Sequence, residues 1–238
     1  MSNNFNPKIS VCIPSYEAKG LGVEFISKNI ESILSQTYKN VEIIISDHSK
    51  DEKIQNYVEG LGIENLKYLR NTEYIGWPAH NTNNAIRNST GDYIKLMNLD
   101  DFIQGEDTLE LIVNLLNEGS KWVISGFIHH DYKSNTWTRP MIPKIEGDGK
   151  HLLRGVNLVG CPSVGLIPRD EYFDPEVVYM IDCELWYRMF LKYGYPGVLN
   201  DYRIVVGVGE HTLTSQLSSD YNNLLNKDVN YCNKKFSI

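Results

Sequence analysis

Two adjacent carboxylates, Asp100 and Asp101, end the stretch YIKLMNLDD at residues 93–101. Like charges side by side repel each other unless solvent or a cation lies between them. Mg²⁺ and Mn²⁺ are commonly held by one or two carboxylates together with substrate phosphates, and such a cation helps a diphosphate to leave. The two acids could also cap a following helix, which is the commoner explanation for an isolated pair.

Polar groups also follow three other predicted strands, in PSYE (14–17), SDHSKD (46–51) and NTEYIGWPAHN (71–81). Ligands of open α/β sheets bind outside the carboxyl ends of the strands. Tyr16 could stack on a flat base, and Asp47 could accept a hydrogen bond from a base N–H. Pro-Ser and Ser-Asp are also ordinary turn sequences. Each piece alone is weak, but together they outline a nucleotide pocket.

The elements that must position these groups alternate between strand and helix in the first half. Apolar runs predict strands at 8–13, 41–46, 66–69, 93–97 and 122–127. Apolar residues at helical spacing predict helices at 25–34, 79–88 and 109–116, with a shorter helix near 52–62. This alternation predicts right-handed βαβ units in an α/β fold with a mostly parallel central sheet and helices on both faces.

The second half is less regular. Residues 135–149 are predicted as a ribbon or loop, because Pro140 and Pro143 cannot donate to a strand ladder. A strand at 163–167, a helix at 182–194 and a polar helix from 214 onwards follow. We expect a single domain over 1–238, with a nucleotide-binding half at about 1–102, an acceptor-side half at 103–216 and a C-terminal helix or tail at 217–238.

Composition narrows the class of protein. The chain has 238 residues, of which 42% are hydrophobic, and a net charge of -7. This balance suits a packed domain and argues against a nucleic-acid groove. The four cysteines lie far apart, which argues for reduced thiols and against a disulfide framework or a zinc site. The N-terminus is polar and no apolar run approaches a membrane span, so we expect a cytoplasmic protein.

Several segments resemble a family 2 glycosyltransferase of the GT-A fold. They are ISVCIPSYE, SILSQTYKNVEIIISDHSKD, GDYIKLMNLDD, GCPSVGLIPRDEYFDP and DCELWYRM, in the family's order and spacing. The resemblance covers most of residues 8–216 and implies an inverting transfer of a sugar from a nucleotide diphosphate to an acceptor hydroxyl. It implies Mn²⁺ or Mg²⁺ as the cofactor, a donor that is most often a UDP-sugar, and a glycan or lipid-linked acceptor. A lipid-linked acceptor would bring the protein to the inner face of the membrane.

The resemblance also implies roles for individual residues. Asp182 matches the general base, and Asp100, Asp101 and His211 match metal contacts. Residues expected at the nucleotide are Pro14, Tyr16, Glu17, Asp47, Gly76, Asn81, Asn98 and Asp100.

The chain departs from the family pattern at Asn98, where an acid is usual, at His80, where an arginine is usual, at Ile181, where an acid is usual, and at Glu17, where an asparagine is usual. Asn98, His80 and Ile181 motivate one alternative, a non-catalytic nucleotide-sugar binder. A second alternative is a sugar-nucleotide pyrophosphorylase-like enzyme, because that class has a related nucleotide-binding sheet, although the chain lacks its Gly-rich, lysine-containing loop near the N-terminus.

Other residues also have more than one interpretation. Asp182 could cap the helix that follows it, and Glu184 is a second candidate for the base. The tryptophans Trp77, Trp137 and Trp186 are candidate core residues, and Trp137 could instead stack on an acceptor sugar.

Overall fold

One sheet of nine strands runs through the described part of the chain, which is residues 5–212, 215 and 220–237 of a computed structural model. Its strands are β1 (Ile9–Ser15), β2 (Val41–Asp47), β3 (Leu66–Arg70), β4 (Tyr93–Leu96), β5 (Phe102–Ile103), β6 (Val123–Asp131), β7 (Thr136–Met141), β8 (Gly165–Pro168) and β9 (Gly197–Val208). The helices are α1 (Gly22–Leu34), α2 (Lys53–Gly60), α3 (Pro78–Arg87), α4 (Thr108–Asn117), α5 (Ile181–Tyr193) and α6 (Tyr221–Lys235). Short 3₁₀ turns lie at Ala18–Gly20, Leu152–Arg154 and Pro162–Val164.

The first four strands form a parallel half in the order β3-β2-β1-β4. All residues of β1 except Pro14 are buried, so both faces of this central strand are covered. Because the strands are parallel, the segments that follow β1, β2 and β4 all leave the same edge of the sheet. The predicted α/β sheet is therefore confirmed, and its topology brings the polar segments together.

The second half is mixed. β8 is antiparallel to both β4 and β6, β9 is parallel to β6, and β5 and β7 are antiparallel additions to β9 and β6. The 12-residue strand β9 has no counterpart among the predicted elements. It begins with exposed and half-buried residues and only later becomes a buried apolar run. The apolar pattern of the sequence therefore does not show where the strand begins.

Two predictions about individual residues need correction. β1 continues through Pro14 to Ser15, because the pairing of β4 ends at Cys12 and a missing N–H beyond that point leaves no ladder bond unmade. Trp186 is fully buried as predicted, but Trp77 and Trp137 are 45% and 49% exposed and are not core residues.

Within the described ranges, no helix is long and apolar enough to cross a membrane.

Candidate active site

Asp100 and His211 meet at the edge of the sheet where the parallel strands end. Asp100 follows β4 and His211 follows β9, and the Nε2 atom of His211 lies 2.8 Å from Oδ2 of Asp100. The histidine is buried, whereas the side chain of Asp100 keeps 16% of its surface exposed. The fold thus joins two residues that are 111 positions apart in the sequence and leaves the carboxylate open to a ligand.

Aromatic side chains hold this pair in place. The Tyr16 hydroxyl donates to the backbone oxygen of His211, and the Tyr132 hydroxyl donates to the backbone oxygen of Asp100 at 2.8 Å. The ring of Phe25 lies 4.7 Å from the rings of both His211 and Tyr132. Burial raises the pKa of Tyr16 and Tyr132, with the charge of Asp100 adding to the effect, so both hydroxyls stay protonated donors.

Gly207 allows the backbone of β9 to approach the acidic pair. Its N–H donates to Oδ1 of Asp101 at 2.8 Å. A Cβ atom at this position would lie 2.5 Å from the backbone oxygen of Asp100 and 2.7 Å from its Oδ2. Only glycine fits this approach without displacing Asp100.

Asp101 faces the protein interior, in contrast to its neighbour. It is only 2% exposed, and its oxygens accept from Gly207 N–H and from the side-chain amide of Asn98 at 3.0 Å. Burial raises the pKa of Asp101 to about 7, and the charge of Asp100 adds to the shift. The predicted metal contact at Asp101 stays a prediction, because each oxygen accepts from a protein donor and still keeps a lone pair.

Asn98 therefore has a structural reason to differ from an acid. Its side-chain nitrogen donates to Asp101, and its backbone N–H donates to the Ser163 hydroxyl at 2.7 Å. A carboxylate at position 98 would place a like charge against Asp101 instead of a donor. Its predicted contact with the nucleotide stays a prediction.

Lys95 lies beneath the acidic pair, and sequence reasoning missed it because the residue belongs to an apolar-looking strand. Its side chain is fully buried, and its ammonium group donates to the backbone oxygens of Ser163 and, at 3.1 Å, of Leu96. Burial lowers the pKa of Lys95 to about 7. The residue thus ties β4 to the segment that precedes β8.

Asp182, the predicted general base, lies at the second position of α5. Its Oδ1 accepts from the Cys183 N–H at 2.8 Å, and its Oδ2 accepts from the side-chain amide of Asn157 at 2.8 Å. Burial raises the pKa of Asp182 to about 6, although these hydrogen bonds oppose the shift. Because α5 begins at Ile181 and Met180 occupies the N-cap position, Asp182 is not the N-cap residue, although its side chain accepts from an N–H of the first turn.

Residues 157–163, here called the bridging segment, connect the two parts of the site. Asn157 donates to Asp182, the thiol of Cys161 lies 3.6 Å from Oδ2 of Asp101, and Ser163 accepts from Asn98. Burial raises the pKa of Cys161, and the charges of Asp101 and Asp182 both add to the effect. One segment therefore contacts both the acidic pair and the candidate base. No local pattern in the sequence identifies Asn157.

Glu184 is not available as a base. It is fully buried, and its oxygens bond Arg188 at 3.0 and 3.2 Å and Lys235 at 2.8 Å. Two cations thus neutralise the carboxylate, and removing a partner from such a buried pair is costly. The structure leaves Asp182 as the candidate on α5.

Two predicted nucleotide contacts, Asp47 and Asn81, support the ends of the strands. Asp47 is fully buried and accepts from the Ser49 N–H at 2.9 Å and from the Tyr68 hydroxyl at 2.7 Å. Asn81 donates to the backbone oxygens of Ser15 and Ser46 at 3.2 and 2.9 Å. Both side chains stabilise the ends of the parallel strands. Their direct contact with a nucleotide base stays a prediction.

The other predicted nucleotide residues border the same edge. Pro14 and Glu17 are half-buried at the end of β1, and Glu17 accepts from the Lys50 N–H at 3.3 Å. Gly76 adopts a φ of +87° in the loop before α3, a conformation that glycine takes without strain. In the same loop, the rings of Tyr74 and His80 stack at 3.9 Å, so the residue at the arginine position of the family faces an aromatic ring.

Asp100 and His211 suit a cation only if a substrate completes its coordination. The described residues contain no group of three or more His, Cys, Asp or Glu side chains that could hold a metal ion. Asp100 and His211 supply one carboxylate and one imidazole donor, and Mg²⁺ or Mn²⁺ sites often combine one or two protein ligands with substrate phosphates. The donor set therefore fits a cation that arrives with a phosphorylated ligand.

Comparison with known proteins finds similar sequences and a matching family model. A family model described as Glycosyl transferase family 2 matches residues 10–173. The chain is 30% identical over 115 residues to the GalNAc(5)-diNAcBac-PP-undecaprenol beta-1,3-glucosyltransferase of Campylobacter jejuni, which covers 48% of this chain and 36% of that protein. It is 30% identical over 202 residues to an uncharacterized glycosyltransferase of Rickettsia prowazekii, covering 79% of this chain and 60% of that protein.

Solved structures share the fold at low sequence identity. S. aureus TarS 1-349 in complex with UDP matches with a TM-score of 0.66 and 15% identity, over 93% of this chain and 64% of that one. The mannosyltransferase PcManGT from Pyrobaculum calidifontis, in complex with GDP-Man and Mn²⁺, matches with a TM-score of 0.63 and 17% identity, over 94% and 70% of the two chains. The chain spans 36–60% of the length of the first curated relatives that it matches.

Proposed function

Because the chain belongs to glycosyl transferase family 2, we propose that it transfers a sugar, with inversion, from a nucleotide diphosphate to a hydroxyl group of a lipid-linked glycan. The observation that carries the proposal is the bridging segment, which contacts Asp182 through Asn157 and Asp101 through Cys161. Because the same short segment contacts both, the candidate base can act on the acceptor hydroxyl while the acidic pair lies at the sugar donor.

Asp182 acts as the general base in this proposal. Its pKa of about 6 leaves it mostly ionised at neutral pH while keeping it a stronger base than an ordinary aspartate. It accepts the proton of the acceptor hydroxyl as that oxygen attacks the sugar. Asn157 holds one carboxylate oxygen and the Cys183 N–H holds the other, so the group is oriented before the acceptor arrives.

Asp100 and His211 would hold Mn²⁺ or Mg²⁺ together with the donor diphosphate. When bound, the cation neutralises the charge that develops on the leaving diphosphate. Tyr132 and Gly207 keep Asp100 turned toward the open edge, and Tyr16 holds the backbone of His211. Asp101 stabilises the turn at residues 98–101 through its hydrogen bonds with Asn98 and Gly207.

The relatives support a UDP-sugar and a polyprenyl-linked acceptor. TarS is described with UDP and with UDP-GlcNAc. A second curated relative is the UDP-Glc:alpha-D-GlcNAc-diphosphoundecaprenol beta-1,3-glucosyltransferase WfaP of Escherichia coli, 32% identical over 94 residues, covering 40% of this chain and 36% of that protein. A β-linked product from an α-linked nucleotide donor is the product of inversion. We therefore propose a UDP-hexose or UDP-N-acetylhexosamine as the donor.

The test is a donor panel with a matched pair of variants. UDP-, GDP- and dTDP-sugars are incubated with Mn²⁺ and a GlcNAc-diphosphoundecaprenol acceptor, and release of nucleotide and formation of glycolipid are followed by chromatography. We expect turnover with a UDP-sugar. We expect Asp182→Asn to lower kcat by about 10²- to 10⁴-fold without changing the affinity for UDP. The control, Asp170→Asn, alters an aspartate whose side chain is 87% exposed and should keep full activity.

Two results would contradict the proposal. If UDP binds in the presence of Mn²⁺ but no donor is transferred or hydrolysed, the protein is a nucleotide-sugar binder. If Asp182→Asn abolishes UDP binding, Asp182 belongs to the donor site or to the fold and is not the base.

A further inference from the structure

Asp228, on α6, is a fully buried carboxylate outside the region that the family model matches. Its Oδ2 accepts from three consecutive backbone N–H groups, those of Val178, Tyr179 and Met180, at 3.1, 2.6 and 3.0 Å. Its Oδ1 is buried without a hydrogen-bond partner among the described residues. A carboxylate is costly to bury, and the three donors offset that cost.

The turn that Asp228 holds leads directly into α5. Met180 occupies the N-cap position, and Asp182 follows two residues later. Of the three N–H groups, that of the N-cap residue Met180 belongs to the helix terminus, where N–H groups lack partners within the helix. Those of Val178 and Tyr179 precede the helix, so the carboxylate of Asp228 joins the end of the preceding loop to the start of α5.

A second contact joins α6 to the other end of the same turn. The Lys235 ammonium group bonds Asp174 at 2.6 Å and Glu184 at 2.8 Å. The Tyr231 hydroxyl also donates to Asp174, at 2.8 Å. α6 thus contacts the segment from 174 to 184 at several points around Asp182.

We propose that Asp228 is a positioning residue for Asp182, and that α6 fixes the geometry of the turn at residues 178–180, which leads into Asp182. The inference rests on the proposed role of Asp182 as the base. Without Asp228, three backbone N–H groups lose their acceptor, the turn loosens, and Asp182 moves relative to the bridging segment. A displacement of about 1 Å in such a group can lower a rate by about 10²-fold.

The environment of Asp182 offers a readout that does not depend on activity. Its titratable neighbours are Cys161, Tyr179 and Cys183, and burial raises the pKa of each of them, so all three stay neutral where Asp182 titrates. Asp182 is half-buried, and the desolvation of its carboxylate raises its pKa to about 6. A loosened turn admits water, so the titration midpoint should fall toward that of an ordinary aspartate.

The experiment compares Asp228→Ala, Asp228→Asn and a control on the same helix, Asn226→Ala, whose side chain is exposed. The titration of Asp182 is followed by carboxyl ¹³C NMR, kcat and KM are measured with the best donor, and UDP affinity is measured by calorimetry. We expect Asp228→Ala to lower the Asp182 midpoint and to lower kcat by about 10- to 100-fold, with UDP affinity unchanged. Asp228→Asn keeps an acceptor oxygen and should show smaller changes in the same direction.

An Asp228→Ala variant that folds with the wild-type midpoint and the wild-type kcat would overturn the inference. If that variant does not fold, Asp228→Asn decides, and a wild-type midpoint together with a wild-type kcat would again overturn it. The midpoint is measurable even if the wild-type protein transfers no sugar. Failure of the proposed function and failure of the positioning role are therefore distinguishable.

Discussion

The parallel half of the sheet and the mixed half contribute to the site by different physical means. In the parallel half, β1, β2 and β4 run in one direction, and their polar ends reach one edge because of topology alone. In the mixed half, the contributing groups are held by individual contacts across long sequence separations. Tyr16 bonds His211 across 195 residues, and Gly207 bonds Asp101 across 106.

Sheet topology thus determines where the candidate site lies, whereas individual contacts determine the environment of each side chain in it. The parallel half places Asp100 and Asp101 at the ligand-binding edge, but both acids start from the same turn. Contacts from β9 and the bridging segment then turn Asp101 inward and leave Asp100 partly exposed. Substitutions at the edge should therefore affect metal response, whereas those at the supporting contacts should affect geometry, pH dependence or stability.

Substituting each of the two acids separately by asparagine gives the largest expected effect and tests this comparison most directly. Asp100→Asn removes the carboxylate that faces the open edge, so we expect Mn²⁺-dependent activity to fall by about 10²-fold or more, since such a cation contributes several kcal/mol. Its melting temperature should stay near that of the wild type. Asp101→Asn should instead destabilise the fold by about 1–3 kcal/mol, because it disturbs a buried hydrogen-bonded group.

Activity against Mn²⁺ concentration and urea unfolding of both variants check this pair. Equal loss of metal response in both, with no change in stability, would show that the acids share one role and that the inward position of Asp101 is unimportant.

The close approach of β9 gives the next largest effect. Gly207→Ala places a methyl group 2.5 Å from the backbone oxygen of Asp100, so either the strand or the acid must move. We expect a loss of about 1–3 kcal/mol in stability, as for other overpacked sites, together with a weaker response to Mn²⁺. Gly60→Ala is the matched control, because nothing lies within 4 Å of a Cβ atom there. Thermal melts and Mn²⁺ titrations of both variants measure the effect, and a wild-type metal response in Gly207→Ala would contradict it.

The bridging segment should control pH dependence. In the proposed mechanism the rate needs ionised Asp182, so kcat/KM should rise as the pH increases through about 6. Asn157 donates to the charged form and lowers the pKa, so Asn157→Ala should move this rise to higher pH by up to about one unit. Profiles of kcat/KM from pH 4.5 to 8 test the shift. An unshifted profile would separate Asn157 from the base, and the exposed Asn114→Ala on α4 provides the control.

The opposite end of the parallel half should affect stability only. Burial alone would raise the pKa of Glu42, but hydrogen bonds from Lys8, Ser10 and Thr90 outweigh it and lower the pKa to about 2. The stabilisation is present above the ordinary value of 4.5 and is lost as the pH falls from there toward 2. We expect Glu42→Gln to cost about 1–2 kcal/mol at pH 7 and to leave kcat unchanged.

Urea unfolding at pH 7 and pH 3, with kcat measured in parallel, tests this last prediction. The difference between Glu42→Gln and the wild type should shrink at pH 3. A large loss of kcat at pH 7 would instead mean that the two ends of the sheet are coupled.

How much could be predicted from the sequence differs between the two halves. The strands and helices of the parallel half were identified because each has its own apolar period, and the family resemblance then identified Asp100, Asp182 and His211 as candidates. β9 was missed because its first part is polar. Its pairing with β6 and β5 depends on residues about 70 to 100 positions away, which no local period reports.

Short-range patterning thus determines the α/β fold class, the edge where polar groups collect and the residue types available for chemistry. Tertiary structure alone determines that Asp101 is buried while Asp100 is not, that Glu184 is paired with two cations, and which donors hold Asp182 and the turn before it. The physical reason is that a carboxylate's role depends on its burial and its hydrogen-bond donors. Here those donors come from segments distant in sequence, so the fold must bring them together before the roles differ.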